Sequence, residues 1–214
     1  MKPYIKIAVI GGTGKAGKYL ISQLIKENYH FKALARNPEK FIIESPIAET
    51  ITGNAANYED IYKLLDGCDA VISTLGMGIP PSEPTIFTAS TENILKAMKA
   101  QGISRYIVIT GLNVDTPFDN KGPKAKIATE WMHSTYPAST QNKQEEYELL
   151  FKSDTNWTMV RLPMIGLTDD KPEININIED CPGDTISASS LAQFLISQID
   201  DRSYIKKAPF IANI

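Results

Sequence analysis

The glycine-rich stretch GGTGKAG at residues 11–17 constrains the fold of this chain more than any other part of its sequence. The apolar residues 4–10 before it are typical of a buried strand, and residues 16–26 have the apolar spacing of a helix. The glycines at its first, fourth and seventh positions form the pattern GxxGxxG. Such a turn brings bare backbone amides to the positive end of a helix dipole, which favours an anion such as a pyrophosphate. We therefore expect a strand, a phosphate-binding turn and a helix in that order, with an ordinary glycine-rich turn as the alternative.

The rest of the chain alternates short apolar runs with amphipathic segments. The predicted strands are 4–10, 31–35, 49–52, 70–75, 105–110 and 157–161, and the predicted helices are 16–26, 59–65, 91–100, 145–152 and 190–199. This order predicts a single α/β domain over residues 1–214, with a parallel sheet wrapped by helices on both faces. Long irregular connections are predicted at 74–85 and 111–140. Both leave the carboxyl ends of central strands, where ligands bind in open α/β sheets.

Composition and charge exclude several classes of protein. A net charge of −3 offers no basic surface for nucleic acid, and two isolated cysteines and two distant histidines predict no metal site. The first residues lack the apolar core of a signal peptide, and no later run is long enough to span a membrane. The sequence predicts a cytoplasmic protein, a monomer or homodimer, that binds a small-molecule acceptor and neither nucleic acid nor membrane.

A second marker for a dinucleotide follows the second predicted strand. Dinucleotide sites contact the adenosine ribose there, where an acidic residue favours NAD and an arginine accommodates a 2′-phosphate. The sequence ALARNPEK places Arg36 and Asn37 at this position. NADP(H) is therefore favoured over NAD(H), with an exposed loop charge as the alternative interpretation of Arg36.

Four motifs resemble those of the atypical short-chain dehydrogenase/reductases, and the segments 92–110 and 186–199 extend the resemblance over nearly the whole chain. GGTGKAG at 11–17 looks like the GATGxxG of that family, and TGNA at 52–55 resembles the Gly-Asp-Xaa that cups the adenine, with Asn54 in place of the aspartate. DAVISTLGMG at 69–78 matches the fourth strand, and NWTMVRLPMIG at 156–166 resembles the strand and loop beside the nicotinamide. In size and layout the chain is most similar to the flavin and biliverdin-IXβ reductases.

The resemblance implies a Rossmann fold, with a doubly wound, mostly parallel sheet and a small carboxyl-terminal extension. It implies a substrate pocket formed by the loops 76–88, 111–140 and 163–185. It also implies a set of cofactor contacts at the strand ends. These residues are Gly11, Gly12, Thr13, Gly14, Lys15, Ala16, Gly17, Arg36, Asn37, Gly53, Asn54, Ala55, Leu75, Gly76, Met77, Thr110, Lys143, Pro163, Met164 and Ile165.

The chain departs from the superfamily in its catalytic residues. Ordinary members use a tyrosine, with a lysine four residues later, to move a proton while the nicotinamide passes a hydride. No tyrosine here has that spacing, since Tyr136 is followed by Thr140, and Ser139 stands four residues before Lys143. The resemblance assigns Lys143 to the nicotinamide ribose, with an exposed lysine at a helix start as the alternative, and it places Thr110 facing the nicotinamide. These two residues are the candidate catalytic residues.

The part of the substrate pocket that receives the acceptor molecule is expected to be apolar. Gly111 and Met164 stand where the flavin and biliverdin reductases have a serine and a histidine, which weakens biliverdin as a substrate. The expected lining is Met77, Ile79, Trp131 and Met164, with core positions as the alternative. Such a lining suits a flat ring, and for a flavin or quinone the solvent can supply the proton after hydride transfer.

Two clusters of charged residues are expected to be exposed, and no chemistry is assigned to them. They are Lys121, Lys124 and Lys126 in a loop, and Glu145, Glu146 and Glu148 on a helix.

The sequence leaves three functions open. The leading one is an NADPH-dependent oxidoreductase that passes a hydride to a flat acceptor such as a flavin or quinone. The second is a cofactor-binding redox sensor without turnover, resembling the NmrA-like proteins. The third is a sugar-nucleotide epimerase, which the missing tyrosine disfavours.

Overall fold

The computed structural model describes residues 5–78 and 81–214 of the chain. Within them the strands are β1 (Lys6–Ile10), β2 (His30–Ala35), β3 (Ala48–Thr52), β4 (Ala70–Ser73), β5 (Arg105–Gly111), β6 (Asn156–Leu162), β7 (Met164–Gly166), β8 (Ile174–Asn177), β9 (Thr185–Ser187) and β10 (Phe210–Asn213). The helices are α1 (Lys15–Lys26), α2 (Tyr58–Leu65), α3 (Ile86–Gln101), α4 (Pro123–Thr135), α5 (Pro137–Lys152) and α6 (Ala188–Ser197), and a 3-10 turn covers Pro38–Lys40.

The main sheet has the strand order β3-β2-β1-β4-β5-β6-β10-β8. Its neighbours pair in parallel, except that β8 runs antiparallel to β10. The short strands β7 and β9 form a separate parallel pair. This is the doubly wound Rossmann architecture, and it confirms the fold class predicted from the sequence. The order reverses between β1 and β4, and ligands of such sheets bind in the crevice at that point.

Both faces of the sheet are covered, so its central strands are apolar throughout. In β1, Ile7 and Val9 pack with residues of α1 and α6, whereas Ala8 and Ile10 pack with residues of α2 and α3. Side chains alternate between the faces of a strand, so a strand buried on both faces reads as a continuous apolar run. This is why the strong strands could be predicted from composition alone.

The prediction of an irregular connection over 111–140 is wrong, because helix α4 and the first turn of α5 lie within it. α4 buries only Ala125, so its sequence shows no apolar stripe from which a helix could be predicted. Each helix has a proline in its first turn, where the fixed φ of proline suits a helix start. The connection at 74–85, by contrast, contains no helix or strand in its described residues.

Candidate cofactor site

A cavity of about 640 Å³ opens at the carboxyl edge of the sheet. Its wall includes Ile10 at the end of β1, Leu34 near the end of β2, Thr74 just after β4 and Ile109 in β5. It therefore lies where the strand order reverses, at the position that the fold predicts for a ligand.

The cavity brings together many of the residues that the sequence predicted for a cofactor. Those that line it are Gly11, Thr13, Gly14, Lys15, Ala16, Arg36, Asn37, Gly53, Asn54, Ala55, Leu75, Gly76 and Ile165. The remaining predicted residues are not among its described lining. These are Gly12, Gly17, Met77, Thr110, Lys143, Pro163 and Met164.

The glycines of the first turn serve two different needs. Gly11 has φ +80°, and a Cβ there would lie 2.6 Å from the backbone of Thr74. A Cβ on Gly17 would collide with the carbonyl oxygen of Gly11. These two glycines are thus required by the packing of the protein on itself. A Cβ on Gly14 would meet only Gly11 O, at 3.2 Å, so Gly14 leaves open space on the side of the cavity.

The amino-terminal end of α1 faces this open space. Gly14 is its N-cap residue, no described side chain caps the helix, and its first turn has no acidic residue. The first amides of a helix lack partners within it and carry the positive end of the dipole. Since Gly14, Lys15 and Ala16 all line the cavity, this helix start suits a phosphate group.

The charged residues that line the cavity are all cations. Among the described lining residues they are Lys15, Arg36 and Lys40, each exposed, and no carboxylate is present. Lys40 ends the 3-10 turn that follows Arg36, and it was not among the predicted contacts although it lies only four residues after that arginine. The arrangement suits a ligand with several negative charges.

The loop after β3 is held by α2 and α3. The Asp60 carboxylate accepts a hydrogen bond from the Asn54 amide at 2.8 Å, and a Cβ on Gly53 would lie 2.7 Å from the Asp60 side chain. Asn93 Nδ2 donates to the carbonyl of Ala55 at 3.2 Å. The three predicted adenine contacts therefore form a rigid part of the cavity wall.

The residues that line the apolar end of the cavity differ from those that the sequence predicted. Ile86, Ile109 and Ile165 line it, whereas Met164 is 74% exposed. The two neighbours differ because β7 is a strand, whose successive side chains point in opposite directions. Ile165 faces the cavity, so Met164 faces solvent.

The other residues of the expected apolar lining also lie elsewhere. Trp131 is 55% exposed on α4, with its ring edge against Tyr136, and Met77 is half-buried outside the lining. Ile79 lies outside the described residues. Trp131, Met77 and Met164 are therefore not among the described residues that line this cavity.

The two candidate catalytic residues lie behind the cavity wall. Thr110 is buried, and its hydroxyl has no hydrogen-bond partner among the described residues. Lys143 lies in the middle of α5, where its Nζ donates to the carbonyl of Ile109 at 3.1 Å and to Glu146 Oε2 at 2.7 Å. The same ammonium lies 3.9 Å from the centre of the Phe87 ring. The alternative interpretation of Lys143 as an exposed lysine is wrong, because the residue is buried among these partners.

Glu146 belongs to a buried polar network, contrary to the expectation that it is exposed. It is 2% exposed, and its Oε1 accepts a hydrogen bond from Thr91 at 2.8 Å. The Thr91 hydroxyl lies 3.4 Å from that of Tyr106. Burial, and next the charge of Glu146, raise the pKa of Tyr106, so its phenol stays protonated. Glu148 is exposed as expected, and nothing in the sequence distinguishes the two glutamates.

Asn142 connects α5 to the cavity by capping α3. Its Oδ1 accepts hydrogen bonds from the amides of Phe87 and Thr88, at 3.0 and 3.3 Å. It thus supplies from another helix the cap that Thr85, the N-cap residue of α3, does not provide. The start of α3, which carries Ile86, is fixed in this way.

Comparison with known proteins decides the family. A family model described as NAD(P)H-binding matches residues 11–202. The chain belongs to the NAD(P)H-binding family of atypical short-chain dehydrogenase/reductases. This confirms the resemblance seen in the sequence motifs.

Two relatives of this NAD(P)H-binding protein and one solved structure with a similar fold illustrate the similarity. The uncharacterized sugar epimerase YhfK of Bacillus subtilis is 24% identical over 212 residues, which cover 95% of this chain and 92% of YhfK. The isoflavone reductase homolog A622 of Nicotiana tabacum is 37% identical over 112 residues, covering 48% of this chain and 34% of that protein. A short-chain dehydrogenase/reductase of Veillonella parvula, solved in complex with NADP, has a TM-score of 0.80 at 16% identity and covers 98% of this chain and 95% of its own.

The residues of the cavity fit an NAD(P)H molecule. The uncapped start of α1 and the open space at Gly14 would receive the pyrophosphate, and the rigid loop at Gly53 and Ala55 would border the adenine. The described residues contain no group of three metal-binding side chains. In the same part of the chain, no helix is both long and apolar enough to cross a membrane.

Proposed function

We propose that this chain is an NADPH-dependent reductase that passes a hydride to a flat acceptor such as a flavin or quinone. The observation that carries the proposal is the cavity itself, which has three cations and no carboxylate among its described lining residues and an isoleucine wall at the far end. The family is oxidoreductase-like in character, which supports the reaction class.

The choice of NADPH rests on Arg36 and Lys40. Both side chains line the cavity after β2, where the adenosine ribose lies in doubly wound folds. A guanidinium forms charge-assisted hydrogen bonds with a phosphate, and a second cation nearby adds to the attraction. A 2′-phosphate would place two further negative charges at this point, so the pair favours NADPH over NADH. The NADP complex of the Veillonella protein supports the same choice.

The acceptor end orients the reactants and excludes water. When bound, the dihydronicotinamide supplies the hydride. The wall formed by Ile86, Ile109 and Ile165 gives a flat acceptor ring an apolar contact and contains no proton donor. The buried Tyr106 phenol does not take the role of the missing tyrosine, because its hydroxyl lies against Thr91 inside the protein. Orientation in a dry site provides most of the acceleration, and solvent supplies the proton.

Steady-state turnover tests this proposal. Purified protein is mixed with NADPH and either FMN or a soluble quinone, and the loss of the nicotinamide absorbance band is followed. We expect steady turnover with NADPH and slower turnover with NADH at the same concentration. NADPH binding without turnover of any flat acceptor would instead indicate a redox sensor.

The similarity to YhfK favours epimerisation of a sugar nucleotide as the second candidate function. It extends over 92% of a protein that is called a sugar epimerase, although that protein is uncharacterized. An NAD-dependent epimerase needs a base that takes the proton of the sugar hydroxyl as the carbon gives up its hydride and that returns the proton afterwards, and the described site has no tyrosine paired with Lys143 for this task. Interconversion of UDP-glucose and UDP-galactose with bound NAD, followed by chromatography, is the test of this candidate.

A further inference from the structure

The ion pair of Lys143 and Glu146 lies directly behind the cavity wall. Both residues are on α5, one turn apart, and Lys143 Nζ binds the carbonyl of Ile109, a residue that lines the cavity. The Phe87 ring covers the ammonium on another side, at 3.9 Å. The pair is therefore placed at the apolar end of the cavity, away from Arg36 and Lys40.

One N–H group of the Lys143 ammonium has no acceptor among the described residues. It carries three N–H groups, and the described residues accept two of them, through Ile109 O at 3.1 Å and Glu146 Oε2 at 2.7 Å. The hydrogen bond to Ile109 O brings the ammonium next to a residue of the cavity wall, and the Phe87 ring lies 3.9 Å from it. A sugar hydroxyl at the cavity wall is a suitable acceptor.

Glu146 is itself held in place from a second direction. Its other oxygen, Oε1, accepts the hydrogen bond of Thr91 at 2.8 Å, and Thr91 lies on α3. Burial excludes water from the carboxylate, which is 2% exposed. The carboxylate is thus a fixed anchor between two helices, and the long lysine side chain adjusts to it.

We propose that Glu146 is a positioning residue that aims Lys143 at the ribose of the nicotinamide half of the cofactor. The inference rests on the proposed function, because it needs NADPH in the cavity. Glu146 acts only through Lys143 and touches neither the cofactor nor the acceptor.

Glu146→Gln tests the proposal, with Glu148→Gln as its matched control on the exposed face of the same helix. Two ligands are compared by isothermal titration. One is NADPH, and the other is adenosine 2′,5′-bisphosphate, which has the adenosine and both of its phosphates but no nicotinamide ribose. We expect Glu146→Gln to raise the Kd of NADPH about tenfold, as for one charge-assisted hydrogen bond, and to change the Kd of the bisphosphate less than about twofold. Glu148→Gln should change neither value.

Thr91→Val provides a second variant that keeps the charged pair and the buried volume. It removes the hydrogen bond that fixes Glu146, so it should raise the Kd of NADPH about two- to fivefold, again without an effect on the bisphosphate. Its result decides the question if Glu146→Gln does not fold.

Three outcomes overturn the inference, and they are distinguishable. Equal weakening of both ligands means that Glu146 is merely structural. Unchanged binding of both ligands in the two variants means that Lys143 does not reach the cofactor. Failure of the unaltered protein to bind NADPH overturns the proposed function and this inference with it.

Discussion

Nη1 of Arg161 lies 2.6 Å from Oδ1 and 2.8 Å from Oδ2 of Asp119, inside the protein. The same guanidinium donates to the carbonyls of Ala208, Val114 and Ile178. Burial lowers the pKa of Arg161, and the hydrogen bond and charge of Asp119 act against this shift. The arginine of the NWTMVRLPMIG motif therefore ties β6 to the loops on either side, and the sequence alone does not show this.

Asp119→Ala should destabilise the protein by about 3–5 kcal/mol, because it leaves the Arg161 charge buried and without its ion-pair partner. Urea unfolding measures the difference. Asp184→Ala is the control, since it removes an exposed partner of Lys124 and should cost less than about 1 kcal/mol. Similar losses in the two variants would show that the buried pair contributes no more than a surface pair.

Gly14→Val should abolish NADPH binding while the protein still folds. The Cβ at this position has only one close neighbour, Gly11 O at 3.2 Å, and the rest of the side chain would enter the cavity. Gly17→Val should instead prevent folding, because its Cβ collides with the backbone of Gly11. Circular dichroism and NADPH fluorescence separate the two effects. Normal NADPH binding by a folded Gly14→Val protein would mean that the turn does not receive the pyrophosphate.

Arg36→Ala should weaken the binding of NADPH by about 1.5–3 kcal/mol, through the loss of a charge-assisted contact, and leave that of NADH almost unchanged. Lys40→Ala should act in the same direction by a smaller amount. The exposed Lys18, on α1 but outside the described cavity lining, offers a control of the same charge. Titration of both cofactors checks the expectation, and equal affinity of the unaltered protein for NADPH and NADH would contradict it.

Thr110→Val should leave stability unchanged or raise it, because the buried hydroxyl that it removes has no partner among the described residues. Thr158→Val is the comparison, since the Thr158 hydroxyl donates to Tyr204 O at 2.8 Å and its loss should cost about 1 kcal/mol. We expect only a modest reduction of turnover with a flavin acceptor for Thr110→Val. A loss of about 10⁴-fold, the upper end for general acid catalysis, would identify Thr110 as a dedicated proton donor.

Stability should decline above about pH 9 in part because of Cys68. Burial raises the pKa of its thiol from the ordinary value of 9.0 to about 11. Between these values the unfolded chain releases the proton and the folded protein retains it, so rising pH favours unfolding. Cys68→Ala should therefore show a shallower loss of unfolding free energy from neutral pH to about pH 10, measured in urea. An identical slope in the two proteins would exclude a contribution from this thiol.

The fold was predictable because its signals are local. The apolar run of β1, the glycines that follow and the β/α alternation each reflect a short stretch of chain, and together they define a doubly wound sheet. Many of the predicted cofactor contacts fall in the cavity for the same reason, since the carboxyl ends of parallel strands meet at one edge.

The remaining features depend on contacts between distant segments. Glu146 and Glu148 are alike in sequence, and only the approach of Thr91 from α3 makes one of them a buried anchor. Lys121 was expected in a solvated loop, yet it is buried, with its ammonium 2.6 Å from Asp115. Met164 and Ile165 were both predicted at the cavity, and only Ile165 lines it, because they lie in a strand of three residues that is too short to show a period in the sequence.

The insertion of β10 between β6 and β8 also affects how the protein is made. β6 takes its outer neighbour from residues 206–210, and β8 pairs with β10 alone. While the ribosome is still adding these residues, the outer edge of β6 and the inner edge of β8 stay open to pairing with other chains. A nascent chain that stops before residue 206 keeps both edges open. Closure of the sheet therefore waits for residues 206–213, and chains terminated before them present unpaired edges of the kind that promote aggregation.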